Sequence, residues 1–256
     1  MTNQSLANKP DSRAVNIHQM LKKYQNRIAK ALPQNMSSDR VISTVLTEIR
    51  KNPKLTECHP LSLLGAIIQA SQLGLDIGPT GAHLIPFGKE VQMIPDYRGL
   101  MQLARNTGLI DVIYAQSVRQ NDYFDYQYGT GKFLTFKPAR NNRGDLTDFF
   151  AIAEFKNGNT QFEVLTLDDI QGIRNKSKAK SSGPWVTDYE AMAKKTVIRQ
   201  LCKYLPASSE LQQAVMLDEM NEREINQNNR SIIDIELTDD DVSFDSPIEM
   251  PKATEK

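Results

Sequence analysis

Asn157-Gly158 stands between two runs of alternating apolar and polar residues, 148–156 and 160–165. Asn-Gly supplies the positive φ of a tight turn, so runs flanking it fold back as an antiparallel hairpin. Parallel strands would need a crossover of a dozen or more residues, and none fits between these two. A second hairpin is predicted around Gly88-Lys89, between 82–87 and 90–94. Residues 109–137 also alternate and are rich in Tyr, Phe, Val and Ile, the composition of half-buried strands.

Helical spacing brackets this central block. Residues 11–32 place Ile17, Met20, Leu21, Tyr24, Ile28 and Leu32 on one face, and Pro33 ends the run. A second amphipathic helix follows Ser38, with Val41, Ile42, Val45, Leu46 and Ile49 inward. A third is predicted over 60–73, with proline at its start and Gly74 past its end. It is apolar nearly all round, so it belongs in a core. Residues 97–106 return to helical spacing through Leu100, Met101, Leu103 and Ala104, with Gly108 as the stop. Thr166 and Asp169 cap a short helix, and 175–183 reads as a loop from its small, basic composition. Two more helices are predicted, over 185–205 and 210–225. No internal repeat is evident. Helices, then antiparallel hairpins, then helices define an α+β fold with a sheet packed by helices.

No apolar run approaches the twenty residues of a membrane span. The first residues lack the apolar stretch of a secretory signal. Cys58 and Cys202 form no CxxC pair, which fits buried, reduced thiols in a cytoplasmic protein.

The formal charge of zero hides a division. Residues 206–256 hold thirteen acids and four bases, a balance of −9, so residues 1–205 carry +9. Either the two halves balance for solubility, or the basic body meets a polyanion. Past residue 226 the apolar content collapses, so 226–256 reads as a disordered acidic tail. The domain expectation is a core over 1–206, a connecting helix over 207–225 and that tail.

The helix over 185–205 has four cations against two acids. Thr187 and Glu190 are spaced as a capping box, which starts the helix at Asp188. At 100° per residue, Ala191, Val197, Ile198, Leu201, Cys202 and Leu205 fall in one arc. Lys195, Arg199 and Lys203 line up beside it at i, i+4 and i+8. At ~1.5 Å of rise per residue these cations sit roughly 6 Å apart, compatible with neighbouring phosphates on an extended strand. No acid follows Glu190 within the helix, so the line lacks i,i+4 partners. A solvated face is the plain alternative. The neighbouring basic loop (Arg174, Lys176, Lys178, Lys180) argues against it. Lys194 projects into the apolar arc, where it pairs with Glu190, snorkels outward or lines an anion groove.

Three stretches carry a resemblance: AIIQASQLGLDIGPTGAHLIPFG (66–88), QMIPDYRGLMQLARNTG (92–108) and SGPWVTDYEAMAKKTVIRQLCKYLP (182–206). In that order and spacing they resemble the RecT family of phage single-strand DNA annealing proteins. The likeness runs from about residue 40 to 206. Asp96 stands where many members have glycine before Tyr-Arg-Gly. The resemblance implies a Rad52-like core, a sheet with a packed helix. It also implies ATP-independent binding and pairing of single strands by rings or helical filaments. The implied partners are single-stranded DNA, the annealed duplex intermediate, further copies of the chain, and a 5′→3′ exonuclease or host single-strand binding protein through the C-terminal region. The setting is phage or prophage recombination in the bacterial cytoplasm. No cofactor is required on this reading, ATP is not used, and magnesium is at most an aid to annealing.

Annealing needs phosphates held while base edges stay open to a partner strand. Lys and Arg lines suit that, so the expected DNA contacts are Lys194, Lys195, Arg199 and Lys203, with Lys176, Lys178 and Lys180 from the loop. Arg98 and Arg105, seven residues apart, share a helix face and extend the set, and Tyr97 is either a base or sugar contact or core. Trp185 is either a stacking platform or a core anchor. Tyr123, Phe124, Tyr126 and Tyr128 read as sheet core with one face open. Gly129-Thr-Gly-Lys132 lacks the spacing and hydroxyl of a phosphate loop and reads as a turn. His18, His59 and His83 are scattered, so no structural metal and no catalytic centre is expected. A coat that binds single strands without pairing them, and a metal-dependent nuclease, are the competing functions.

Overall fold

A computed structural model describes residues 12–177, 180–223 and 227. The acidic segment 226–256 lies outside the described residues except for Gln227. The chain divides into two compact units, Pro95–Met216 and a second made of Met1–Ile94 with Leu217–Lys256.

In the second of these, α1 (Ser12–Lys23) and α2 (Gln25–Ala31) take the place of the single predicted helix. The break is a kink at Tyr24, where φ is −95° and ψ 8°. The helical bond from Ile28 N–H to the Tyr24 carbonyl survives at 3.1 Å. Next comes α3 (Ser38–Lys51), which Ser37 caps by accepting from the Arg40 N–H at 3.2 Å. After a 3-10 turn (Pro53–Glu57), α4 (Pro60–Gln72) is buried continuously from Leu61 to Ser71, as its apolar sequence requires. The hairpin of β1 (Ala82–Phe87) and β2 (Glu90–Pro95) follows. Ser62 Oγ in α4 accepts from the Val91 N–H at 2.9 Å, which fixes the hairpin to the helix. The Gln227 side-chain amide bonds both backbone groups of Met93, at 3.0 and 2.8 Å, as a neighbouring strand would. Between α4 and β1 the chain folds tightly on itself. A Cβ on Gly81 would lie 2.2 Å from the Asp76 carbonyl oxygen. Asp76 in turn pairs with Arg40 at 3.0 Å.

The unit Pro95–Met216 begins with α5 (Tyr97–Asn106). Five strands follow: β3 (Ile110–Arg119), β4 (Tyr123–Gln127), β5 (Phe133–Lys137), β6 (Leu146–Phe155) and β7 (Thr160–Thr166). β3, β6 and β7 form an antiparallel sheet in the order β3-β6-β7, and β4 pairs with β5 as a separate hairpin. The Asn157-Gly158 turn joins β6 to β7. Only Gly158 takes a positive φ, 84°, while Asn157 Oδ1 accepts from the Asn159 N–H at 3.0 Å.

Alternation gives the sheet two apolar faces. Val118, Phe150, Ile152 and Phe162 meet Phe124, Leu134 and Phe136 of the β4–β5 hairpin. Phe149, Ala151 and Ala153 point the other way and are fully buried, and α8 (Tyr189–Cys202) packs across all three strands there. The two alanines let that helix approach closely. Before it come α6 (Leu167–Lys176) and one turn, α7 (Pro184–Thr187); after it comes α9 (Ser209–Glu222), which contains the unit boundary.

Three local expectations change. The predicted loop 175–183 starts later, because Arg174 and Lys176 sit in the last turn of α6, where cations suit the helix dipole. The Thr187–Glu190 capping box does not form. Thr187 lies in α7 and bonds Asp188 at 2.6 Å, and Glu190 turns toward β3. In the buried arc, Ala193 and Thr196 replace Ala191, which is exposed. The helix is therefore rotated slightly from its expected facing, and burial settles on 193, 196, 197, 198, 201 and 202.

Candidate nucleic-acid interface

The proposed contact residues fall within the unit Pro95–Met216, on α5, α6, α8 and the segment between α6 and α8, with Lys203 as the C-cap of α8. Lys178 lies outside the described residues.

The N-terminus of α5 meets the middle of α8. Asp96 caps α5 by accepting from the Arg98 N–H at 3.1 Å. Its carboxylate also takes the Lys195 ammonium at 3.3 Å. That ammonium stands 5.8 Å from the centre of the Tyr97 ring. The Arg98 guanidinium lies 5.5 Å from the same ring and donates to the Tyr97 hydroxyl at 3.1 Å. Adjacent Tyr97 and Arg98 thus form one cluster with the distant Lys195. Tyr97 is neither core nor fully exposed; it is a partly buried ring with a cation beside it on each of two elements. The absence of acids after Glu190 in α8 did not leave Lys195 unpaired, because its partner is the residue that caps α5, 99 residues earlier. Asp96 also fills the helix N-terminus, so an anion arriving here meets side-chain cations rather than the amides of α5.

Lys194 points away from this cluster. It pairs with Glu190 at 3.0 Å, the first of its three expected arrangements. Glu190 also accepts from Arg119 at 2.9 Å and from Ser117 Oγ at 2.7 Å. Burial opposes ionisation of Glu190, but the bonds from Ser117, Lys194 and Arg119 outweigh it and hold its carboxyl down at about 2. Arg119 continues into the loop 138–145. Its N–H donates to Asp122, whose wholly buried carboxylate also accepts from the Arg143 guanidinium and the Ala139 N–H. Arg143, with those backbone bonds, keeps Asp122 well below the usual carboxylate range. This network pins the N-terminal half of α8 to the end of β3. No sequence pattern announced Arg119 or Asp96 as partners, since each lies about 70 to 100 residues from the group it meets.

Arg199 and Lys203 continue along α8, partly buried, one and two turns beyond Lys195. Arg105 is exposed in the last turn of α5. Lys176 and Lys180 are exposed near the start of α8. Arg174 holds that segment in place: its guanidinium stacks 5.6 Å from the Tyr189 ring and donates to the Lys180 carbonyl at 2.9 Å. Trp185 is 5% exposed and packs 5.9 Å from Tyr189, so its burial favours the core anchor over a stacking platform. Of the aromatic cluster, Phe124 stacks on Phe150 at 5.5 Å, while Tyr123, Tyr126 and Tyr128 present open faces. The residues 129–132 form the β4–β5 turn. Among the described residues no group of His, Cys, Asp and Glu is arranged to hold a metal ion, and no helix is long and apolar enough to cross a membrane.

An antiparallel sheet backed by a helix with one buried face and one cationic line defines a class, the α+β proteins that present a basic helical surface. The RecT family profile matches residues 39–233. Protein RecT of Escherichia coli (strain K12) is 45% identical over 76% of this chain and 76% of its own length. An uncharacterized protein of Bacillus subtilis (strain 168), YqaK, is 24% identical over 92% of this chain and 81% of its own. The chain belongs to the RecT family, and it is a DNA recombination protein of the single-strand annealing type.

Proposed function

We propose that the chain binds single-stranded DNA along the α5–α8 face and pairs complementary strands without ATP, as an oligomeric ring or filament. The observation that supports this reading is the convergence of Tyr97, Arg98 and Lys195 at the head of two cationic lines, Arg98–Arg105 and Lys195–Arg199–Lys203. The cations carry long, flexible stems suited to following phosphate oxygens, the groups that take roughly half or more of protein–DNA hydrogen bonds. Such a surface holds the sugar-phosphate chain and leaves Watson–Crick edges outward. Lys176, Lys178 and Lys180 supply further phosphate contacts near the start of α8, and Lys194 sets the helix in place through Glu190 as well as adding charge. No nucleotide cofactor takes part, magnesium assists by screening strand repulsion, and the work is done without catalytic turnover in the bacterial cytoplasm. The core 1–206 carries annealing. The region after it recruits a 5′→3′ exonuclease or host single-strand binding protein.

Two complementary oligonucleotides mixed with protein and magnesium, without ATP, test the reading. Pairing faster than in protein-free controls is the expected result. Slower or unchanged pairing with full strand coverage would indicate a coat protein, and shortened strands on a denaturing gel would indicate a nuclease. Truncation after Asn226 is expected to leave this pairing intact.

A further inference from the structure

α5 and α8 run in the same direction, because Tyr97 meets Lys195 near one end and Leu109 and Tyr204 border one cleft at the other. That cleft has a volume of about 810 Å³, within the roughly 300–1,000 Å³ of sites that seat small ligands. It opens where both cationic lines finish, just past Arg105 on one side and Lys203 on the other. Its walls are the β6–β7 turn, the start of β3, Lys132 of the β4–β5 turn and the segment after α8. Three features give it a chemistry. Tyr204 is 64% exposed and Leu109 52%, an open aromatic ring and an apolar floor that solvent alone does not favour. Lys132 and Lys156 are exposed and make no ion pair among the described residues. Lys132 is held in place by Gln161 Oε1 at 2.9 Å.

We infer that this cleft seats one nucleotide of the single strand, its base stacked on Tyr204 and its flanking phosphate between Lys132 and Lys156. The inference rests on the α5–α8 face being the strand-binding surface. Stacking on an aromatic ring is tolerant of sequence, since every base has a π-face. The strand would therefore be gripped by phosphate along the helices and by one base at their end. That base is withheld from pairing until a complementary strand competes it out.

Fluorescence anisotropy with a dT oligonucleotide, and with an abasic strand of equal length, tests this on the full chain. Tyr204→Ala is expected to weaken dT binding about tenfold and to leave abasic binding unchanged. Tyr204→Phe keeps the ring and stays within about twofold of wild type. Tyr204→Leu keeps the bulk without the ring and should match the alanine variant; it carries the test if the alanine variant melts early. Lys132→Gln with Lys156→Gln should weaken both strands alike and lower the salt slope by about 0.7, for the one phosphate the two lysines share on a single strand. An equal effect of Tyr204→Ala on both strands, or no effect on either, would overturn the subsite and leave the helical surface standing. A changed oligomer mass in light scattering, with dT affinity intact, would also overturn it and make the cleft an interface between copies. Wild-type protein that bound neither strand would overturn both readings together.

Discussion

Two helices of nearly equal length, one in each unit, show opposite uses of the same secondary structure. α4 has thirteen residues, none of them charged, and is buried from Leu61 to Ser71. α8 has fourteen, with Glu190, Lys194, Lys195 and Arg199 among them, and buries one face against the sheet. Burial alone fixes the position of α4. α8 must hold cations close together at a surface, where like charges repel. It does so with one carboxylate from outside the helix, Asp96 for Lys195, and one of its own, Glu190, which Lys194 shares with Arg119 of β3. Position in α4 is therefore set by volume, and position in α8 by volume and by a charge network.

The comparison predicts that damage to the two helices separates stability from binding. Ile67→Ala in α4 deletes a fully buried side chain and should cost about 2–5 kcal/mol in denaturant unfolding. DNA affinity of the folded fraction should not change. If Ile67→Ala left stability intact, α4 would not be the core element described. Lys195→Ala, Arg199→Ala and Lys203→Ala combined should do the reverse. Affinity for single-stranded DNA should fall about 100-fold, a loss of about 2.7 kcal/mol. The salt slope should become shallower by about 2, at ~0.7 per lost phosphate contact, with little change in Tm. An unchanged slope would remove these residues from the interface.

Smaller effects probe the network. Glu190→Gln should cost about 1 kcal/mol, a figure kept low because the carboxylate is partly open to solvent. Its pH signature is more telling. The folded carboxyl sits near 2 against an ordinary 4.5. Its contribution is complete above about pH 4.5 and is lost as the pH falls toward 2. Acid titrations of stability should therefore show a gentler slope in that window for the Gln variant. An identical slope would mean that Glu190 does not carry the network. The smallest change expected is that of Asp96→Asn. Asparagine caps a helix as well as aspartate does, so stability should barely move. The released Lys195 should tighten DNA binding by about threefold. Weaker binding would show that Asp96 orients Lys195 for the strand instead of competing with it.

Much of the fold was legible because its signals are local. The Asn157-Gly158 turn, the apolar run of α4 and the Thr166–Asp169 cap each depend on neighbours a few residues away, and each formed as expected. The start of α8 was misread for the same reason. Thr187 and Glu190 have capping-box spacing, but Ser117 and Arg119 of β3 claim the glutamate, and no local pattern reveals a partner about 70 residues away. The line of cations was legible by type and spacing, since i, i+4, i+8 positions put Lys195, Arg199 and Lys203 on one strip of the helix and its cap. The clustering of Tyr97 and Arg98 with Lys195 was not, because it depends on how two helices pack.

Gly81 carries a consequence for how this chain can vary. Any codon change that alters residue 81 inserts a carbon atom where the Asp76 carbonyl already lies, 2.2 Å from the new centre. Even alanine would force the turn between α4 and β1 apart. A random library sorted only for folding, with no nucleic acid in the tube, should return glycine there almost without exception. Invariance at that position would thus record crowding in the backbone, and an alignment would show it as sharply as it shows any contact with DNA.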